Sequence, residues 1–348
     1  MNLDKKIEGL DLGESKSFKI DLADQLDDTI PFGVRQELFR KFTPKKIHSL
    51  KIAQAYDRLG YESKSCRVDA CGNLLEFVGS FNRDDLSTSV FKLHRANFCK
   101  DRLCPTCQWR KELKLFATMA QICSKIDFSK ISFLMLTLTV PNVPGEKLSG
   151  EITHLINSFQ DFSRKDPDFK KISLGCFRSL EITYNHVRKD FHPHLHILIA
   201  VPVSYFKSRD YKPQSWWLER WKHFAKDDSI TQVDIRRVYS RDVNDKIDPH
   251  GVYHAICEVV KYSVKPSDFP DEAIRYLVIA LHKRRLISFS GIFKKIAADL
   301  NLELDLEKAD LVHITDDPLP DLDSRAIFTF IWDRVLGCYS LRPFAIFS

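Results

Sequence analysis

Apolar residues recur along this chain with two different periods, and the places where the period changes divide it into elements. Residues 1 to about 30 are polar and acidic with weak periodicity, which predicts a flexible start. Val34 to Leu59 carries apolar residues at helical spacing among many basic ones, which predicts a helix. Cys66 to Val78 and Ser89 to Phe98 hold β-like patches around Gly72, Asn73 and the polar stretch Asn82 to Asp85. A cysteine cluster then leads into a predicted helix from Trp109 to about Ile126.

Downstream the alternation becomes clearer. Ser132 to Asn142 (SFLMLTLTVPN) reads as a strand ended by proline, and Ser149 to Arg164 is amphipathic with Ile152, Leu155, Ile156 and Phe159 on one face. Gly175 to Asn185 and His192 to Pro202 alternate as strands across a short turn. Ser215 to Ala225 reads as a helix, Thr231 to Tyr239 as a strand and Gly251 to Tyr262 as a helix. The order β-α-β-β-α-β followed by α predicts an α+β fold of the split βαβ kind. This is a ferredoxin-like, RRM-like antiparallel sheet with helices on one face and the other face free to carry a site. We divide the chain into a flexible N-terminus (1–30), a helical and cysteine-rich module (31–126), a sheet core (127–268) and a C-terminal helical extension with an acidic linker and an apolar tail (269–348).

Composition changes this picture in three places. At about 150 residues per domain, 348 residues leave room for a catalytic-sized domain plus smaller additions. The 53 lysines and arginines against 47 aspartates and glutamates leave a net charge of only +6, but the distribution is uneven. Lys92 to Lys114 holds seven basic residues against Asp101 and Glu112, Lys283 to Lys295 holds five against none, and Asn301 to Asp323 holds eight acids and one lysine. Basic patches therefore lie beside an acidic, linker-like stretch, and charge alone fits solvated helix faces as well as a DNA track. Nine cysteines, an odd number, with a Cys-x-x-Cys pair and no charged-then-apolar start argue against a secreted disulfide protein and for a cytoplasmic one. The apolar tail from Ala326 is interrupted by Asp333, Arg334 and Arg342, so it is expected to pack as a C-terminal segment and no membrane partner is expected.

Cys99, Cys104 and Cys107 supply three thiolates in nine residues, with Pro105 between the last two. Tetrahedral Zn²⁺ takes four soft ligands, so a fourth must come from elsewhere. Cys71, before Gly72 in a turn between strand-like pieces, is the expected fourth, with Cys66 and His94 in reserve. A closed set of four leaves no position for chemistry, so the role is structural or DNA-contacting. Arg95, Lys100, Arg102, Arg110, Lys111 and Lys114 flank it and are candidates for phosphate contacts.

In His192-Pro-His194-Leu-His196 the last two histidines are two apart and face one side of a strand, with His192 joining them if the strand extends that far. Glu181 on the preceding strand of the hairpin puts a carboxylate beside them and leaves coordination positions open for water and a phosphate oxygen. The same donors suit an iron oxygenase, but that reading needs another fold and leaves the next motif unexplained. Glu258 and Tyr262 stand four apart, with Lys265 three further on, so one helical stripe would hold a base, a nucleophile and a cation. Taken alone, a tyrosine at the rim of an amphipathic helix is more often packing; its place directly after the β-α-β-β-α-β unit reverses that balance.

Together, CGNLLEFV (71–78), ANFCKDRLCPTCQWRKELK (96–114), FLMLTLTVPNVPGEKL (133–148), FRSLEITYN with HPHLHILIAV (177–201), EVVKYSVK (258–265) and RRLISFSGIFKK (284–295) resemble one family. These are the rolling-circle replication initiators (Rep proteins) of small bacterial plasmids, within the His-hydrophobic-His (HUH) endonucleases. The resemblance spans about residues 70 to 300 in the family's order. It implies that His194 and His196 are paired ligands of a catalytic Mg²⁺ or Mn²⁺ and that Tyr262 is the nicking tyrosine. It further implies that Glu258 is the carboxylate that activates water at termination and that Lys265 helps to hold the scissile phosphate. Glu181 as third ligand is transferred from related nucleases. The partners implied are plasmid origin DNA, single-stranded at a hairpin nick site with duplex beside it, and a host helicase and polymerase. A relaxase or transposase of the same nuclease class, or a non-catalytic zinc-containing DNA-binding regulator, would use the same residues differently.

Overall fold

The computed structural model of the chain describes residues 37–81, 90–238, 256–257, 259–260, 268–315 and 324–342. After an irregular turn come α1 (Thr43–Arg58), α2 (Glu62–Ala70), β1 (Leu74–Phe81), β2 (Val90–Ala96) and the long α3 (Pro105–Ser124). Next follow β3 (Ile131–Thr139), α4 (Gly145–Lys165), α5 (Pro167–Ile172), β4 (Gly175–Asn185), β5 (Asp190–Pro202), α6 (Gln214–Ala225) and β6 (Asp234–Val238). The last are α7 (Asp271–Ala280), β7 (Ile287–Phe289), α8 (Gly291–Asp299), β8 (Ser324–Asp333) and β9 (Cys338–Leu341). The fold is α+β, with two antiparallel sheets.

The larger sheet has the order β6-β3-β5-β4-β7. Its first and third strands in sequence, β3 and β5, are central neighbours, which is what a β-α-β-β-α-β chain produces when each helix crosses one face. The register pairs Leu136 with Ile197 and Leu138 with Leu195. On that face α4 lays down Leu148, Ile152, Leu155, Phe159 and Phe162, spaced three and four apart, and α6 adds the fully buried Trp217 and Trp221. Trp221 Nε1 donates to the Thr139 carbonyl at 2.8 Å, so its polar atom is satisfied in the core.

The expectation of a free opposite face holds for only part of the sheet. Phe133, Met135, Phe177, Leu198 and Ala200 alternate onto that face and need cover. They receive it from Leu115, Phe116 and Met119 of α3, from Ile256, Val259 and Val260, and from Phe293 and Ala297 of α8. The fifth strand, β7, was not anticipated from the sequence. It closes against β4 where two glycines meet: a Cβ on Gly291 (φ +54°) would lie 2.2 Å from the Leu174 carbonyl oxygen.

The smaller sheet has the order β2-β1-β8-β9 and corrects three expectations. The apolar tail was assigned to a C-terminal helical extension, but its described part is strand: Phe328, Phe330 and Trp332 alternate inward and β8 pairs with β1 along its whole length. Cys66 to Ala70, read as β-like, is helical in α2. The helix expected from Trp109 starts at Pro105, whose missing N–H costs nothing at a first helical position. Phe42, Phe77, Trp109 and Phe330 fill the space between this sheet and the helices, Phe42 and Trp109 meeting edge-on at 4.9 Å. Helix α3 thus begins against one sheet and ends against the other.

Candidate functional site

Two clusters of metal-type side chains occur among the described residues, one at each sheet. At the N-terminus of α3 the sulfurs of Cys71, Cys99, Cys104 and Cys107 converge: Cys71 to Cys107 is 3.5 Å, Cys71 to Cys104 is 3.6 Å and Cys99 to Cys107 is 3.7 Å. A zinc tetrahedron with arms of about 2.3 Å has edges of about 3.8 Å, so the four donors fit that ion. Three amides turn toward the sulfurs: Cys99 N donates to Cys71 Sγ, Lys100 N to Cys107 Sγ and Asp101 N to Cys99 Sγ. Lys100 takes a positive φ of 57° to make this loop. Helix α1 braces the other side, where the buried Lys46 Nζ donates to the Cys71 carbonyl at 2.8 Å. Hydrogen bonding to the Cys104 sulfur holds the Cys71 and Cys107 thiols well above the ordinary range, so four thiolates together require a cation. The reserves Cys66 and His94 are exposed and outside the cluster.

The second cluster lies on one face of the larger sheet toward the β4–β5 turn, where His194 and His196 are each 9% exposed. β5 begins at Asp190, so His192, His194 and His196 share one face, and Glu181 stands directly across from His194 in the β4–β5 register. Glu181 Oε2 lies 2.8 Å from His196 Nε2 and 3.3 Å from His194 Nε2. The opposite ring nitrogens are occupied: His194 Nδ1 is 3.2 Å from the His192 carbonyl, and His196 Nδ1 is 3.3 Å from Thr137 Oγ1. A carbonyl only accepts, so His194 Nδ1 donates to it and Nε2 is the nitrogen that faces Glu181. Burial alone would raise the Glu181 carboxyl, but hydrogen bonds from His194 and His196 hold it well below the usual carboxylate range. Two imidazoles and an ionised carboxylate, with all three ligand atoms within 4.8 Å, fit a divalent ion that keeps positions open. His192 adds its carbonyl, and its ring stays outside the trio.

Glu258, Tyr262 and Lys265 lie outside the described residues. Their neighbours Ile256, Cys257, Val259 and Val260 are helical, and Ser179 Oγ donates to the Val259 carbonyl. Ser179 and Glu181 share one face of β4, two residues apart.

Two features escaped the sequence. Thr137 has no motif around it and becomes visible only through the β3–β5 register, which sets it opposite His196. The acidic stretch after α8 is not a free linker over its described part. Arg110 donates to the Leu311 and Val312 carbonyls, Lys114 to His313 and Ile314, and Lys100 to Ala309. Lys111 pairs with Glu307 at 3.1 Å. Most of the cations assigned to phosphates therefore hold this segment instead, while Arg95 lies 3.7 Å from Glu76 across β1 and β2. Among the described residues no helix is long and apolar enough to cross a membrane.

The family described as "Replication protein" matches residues 90–337. A "Protein rep" of Streptococcus pneumoniae serotype 2 is 36% identical over 311 residues, covering 87% of this chain and 92% of that relative. A "Protein rep" of Bacillus amyloliquefaciens is 37% identical over 308 residues, covering 80% and 87%, and one of Staphylococcus aureus is 36% identical over 234 residues, covering 66% and 94%. No solved structure matches.

Proposed function

This chain belongs to the Rep replication-protein family, and from that premise we propose that it initiates rolling-circle replication of a plasmid by nicking single-stranded origin DNA. The observation that carries this reading is the convergence of Glu181, His194 and His196 on one face of the larger sheet, two residues along β4 from Ser179 and its bond to Val259. The larger sheet would then be the ferredoxin-like core of a His-hydrophobic-His endonuclease, with four of its strands within residues 127–268 and β7 beyond them.

In this mechanism Tyr262 Oη attacks the scissile phosphorus. The P–O3′ bond breaks, a tyrosyl 5′-phosphate ester forms, and the departing 3′ oxygen takes a proton to become the primer hydroxyl for a host polymerase, with a host helicase opening the duplex. Lys265 offsets charge on the phosphate and lowers the demand on a phenol whose reference pKa is about 10. Mg²⁺ or Mn²⁺ on His194, His196 and Glu181 supplies polarisation of the scissile phosphate when bound. Glu181 also orients both imidazoles, and Thr137 and the His192 carbonyl fix which nitrogen faces the phosphate. At termination Glu258 accepts a proton from the water that releases the regenerated strand, so one tyrosine suffices. Zn²⁺ on Cys71, Cys99, Cys104 and Cys107 supplies folding energy to the residue 31–126 module. The protein acts on plasmid DNA in the cytoplasm.

The test is incubation of the protein and of Tyr262→Phe with Mn²⁺ and labelled single-stranded oligonucleotides tiled across its own plasmid. Wild type is expected to give a cleaved strand and a covalent adduct that mass spectrometry maps to Tyr262, and the variant neither. Binding without cleavage on every oligonucleotide would replace this reading with a non-catalytic DNA-binding regulator.

A further inference from the structure

The loop before β7 carries cations that the fold does not use. Lys283 and Arg285 are exposed, and neither side chain has a hydrogen-bond or ion-pair partner among the described residues. They border a cavity of about 230 Å³ whose floor includes Ser179 and Val260. Ser179 is two residues from Glu181 on the same strand face, about 7 Å away along β4. The nearest lining residue, Ser179, is thus about 7 Å along β4 from the carboxylate–histidine trio, which does not itself line the cavity. A second cavity of about 250 Å³ shares Arg102, Lys283 and Glu307 with the first, so the two form one trough; its Lys64 and Arg67 already pair with Asp101, which leaves Lys283 and Arg285 as the cations on offer.

Behind the loop, Arg178 is buried in the sheet with Nη1 unpartnered among the described residues, while its Nη2 donates to the Arg285 carbonyl at 3.4 Å. No ion pair with a carboxylate is found for it among the described residues, which leaves this region with excess positive potential.

The trough already holds one anion. Glu307 Oε2 lies 3.1 Å from Lys111 Nζ and Glu307 Oε1 3.4 Å from Arg102 Nε. The Lys111 side chain is 2% exposed and that of Glu307 42% exposed. A buried ammonium must have an anionic partner, whereas a carboxylate at the surface can return to water. Glu112 and Asp305 also border the cavity, and Asp305 Oδ1 accepts from the Glu307 amide in its own turn.

We infer that this trough is a second phosphate site, in which Lys283 and Arg285 take a backbone phosphate of single-stranded DNA next to the nick and Glu307 holds Arg102 and Lys111 until a further phosphate displaces it. The identity of the ligand rests on the nuclease reading. The exchange replaces one anion by another on the same two cations, so neither is left buried without a partner at any stage. The contacts proposed are to phosphate and not to base edges, so the site tracks the backbone without regard to sequence.

The test uses the full chain in EDTA with a fluorescent 20-mer of deoxythymidine, titrated by anisotropy over a range of NaCl. A Lys283→Gln, Arg285→Gln double variant is expected to bind about tenfold more weakly at low salt. Its slope of log affinity against log salt should fall by about 0.7, the value for one lost phosphate contact on a single strand. Glu307→Gln is expected to bind severalfold more tightly than wild type. Lys283 and Arg285 are exposed, so equal melting temperature and zinc content are expected of the double variant; Glu307→Gln takes the anion from buried Lys111 and should melt somewhat lower, its fold being checked by zinc content and circular dichroism at the assay temperature. An unchanged slope in the double variant, or weaker binding by Glu307→Gln, overturns the inference. Wild-type cleavage with Mn²⁺ together with an unchanged slope would remove the trough and leave the nuclease standing. The expected slopes without cleavage of any oligonucleotide would leave a backbone-binding site on a protein that does not nick.

Discussion

The cysteine cluster gathers its donors from Cys71 to Cys107 and the carboxylate–histidine cluster from one hairpin, and the two finish in opposite conditions. Around Cys71 the sulfurs face one another, three backbone amides point at them, and Lys46 closes one side, so every polar atom is met from within. Around Glu181 the outer ring nitrogens meet Thr137 and the His192 carbonyl, while both Nε2 atoms converge on one carboxylate oxygen. The first arrangement has nothing left to offer a substrate. The second is not a closed set of donors, which is what the proposed metal-assisted reaction at phosphate would need. The difference teaches that ligand type alone does not separate structural from catalytic sites; the use of each ligand's remaining hydrogen-bonding capacity does.

The comparison breaks most visibly at the sulfurs. Cys107→Ser is expected to lose bound zinc and unfold the smaller sheet, because structural zinc contributes on the order of 10 kcal/mol or more to folding. Zinc content and circular dichroism melting report it, and a variant with full zinc and wild-type melting would end the structural assignment. His194→Ala is expected to leave zinc content and melting near wild type while cleavage falls roughly a thousandfold, the equivalent of several kcal/mol in the transition state. Parallel loss of melting temperature would make the two clusters alike. Thr137→Val sharpens the contrast further: with every ligand retained, Mn²⁺ affinity measured by calorimetry should drop about 10- to 100-fold.

The smallest effect is a pH dependence. Glu181 has its carboxyl lowered in the folded state by His194 and His196. Its contribution is therefore fully present above the unfolded carboxyl pKa of about 4.3 and is lost as pH falls through the folded value. In EDTA the stability difference between wild type and Glu181→Gln should stay level from pH 7 to about 5 and shrink only in stronger acid. A difference that shrinks steadily between pH 7 and 5 would show that Glu181 is not held ionised.

Much of the site was legible because its geometry is local. Two histidines two residues apart on a strand share a face whatever the rest of the chain does, and α4 announced its core face through Ile152, Leu155 and Phe159. Choosing Cys71 over Cys66 was harder, since both precede or follow short apolar pieces. Helix α2 turns Cys66 outward, and the Gly72 amide bonded to the Asn97 carbonyl brings Cys71 to the other cysteines. Glu258, Tyr262 and Lys265 remain the reading of a motif.

By itself the sequence determined the order and type of the core elements, the shared face of His194 and His196, and three of the four sulfur donors, because strand and helix periods are set by backbone geometry within a few residues. Only the tertiary structure decided that the apolar tail pairs with β1, that Thr137 stands behind His196, and that Glu307 and its neighbours lie on the basic side of α3. Those outcomes depend on which surfaces remain uncovered once the chain has folded. An alternating strand specifies a buried face but no particular partner, and a run of acids specifies a charge but not the cations it will meet.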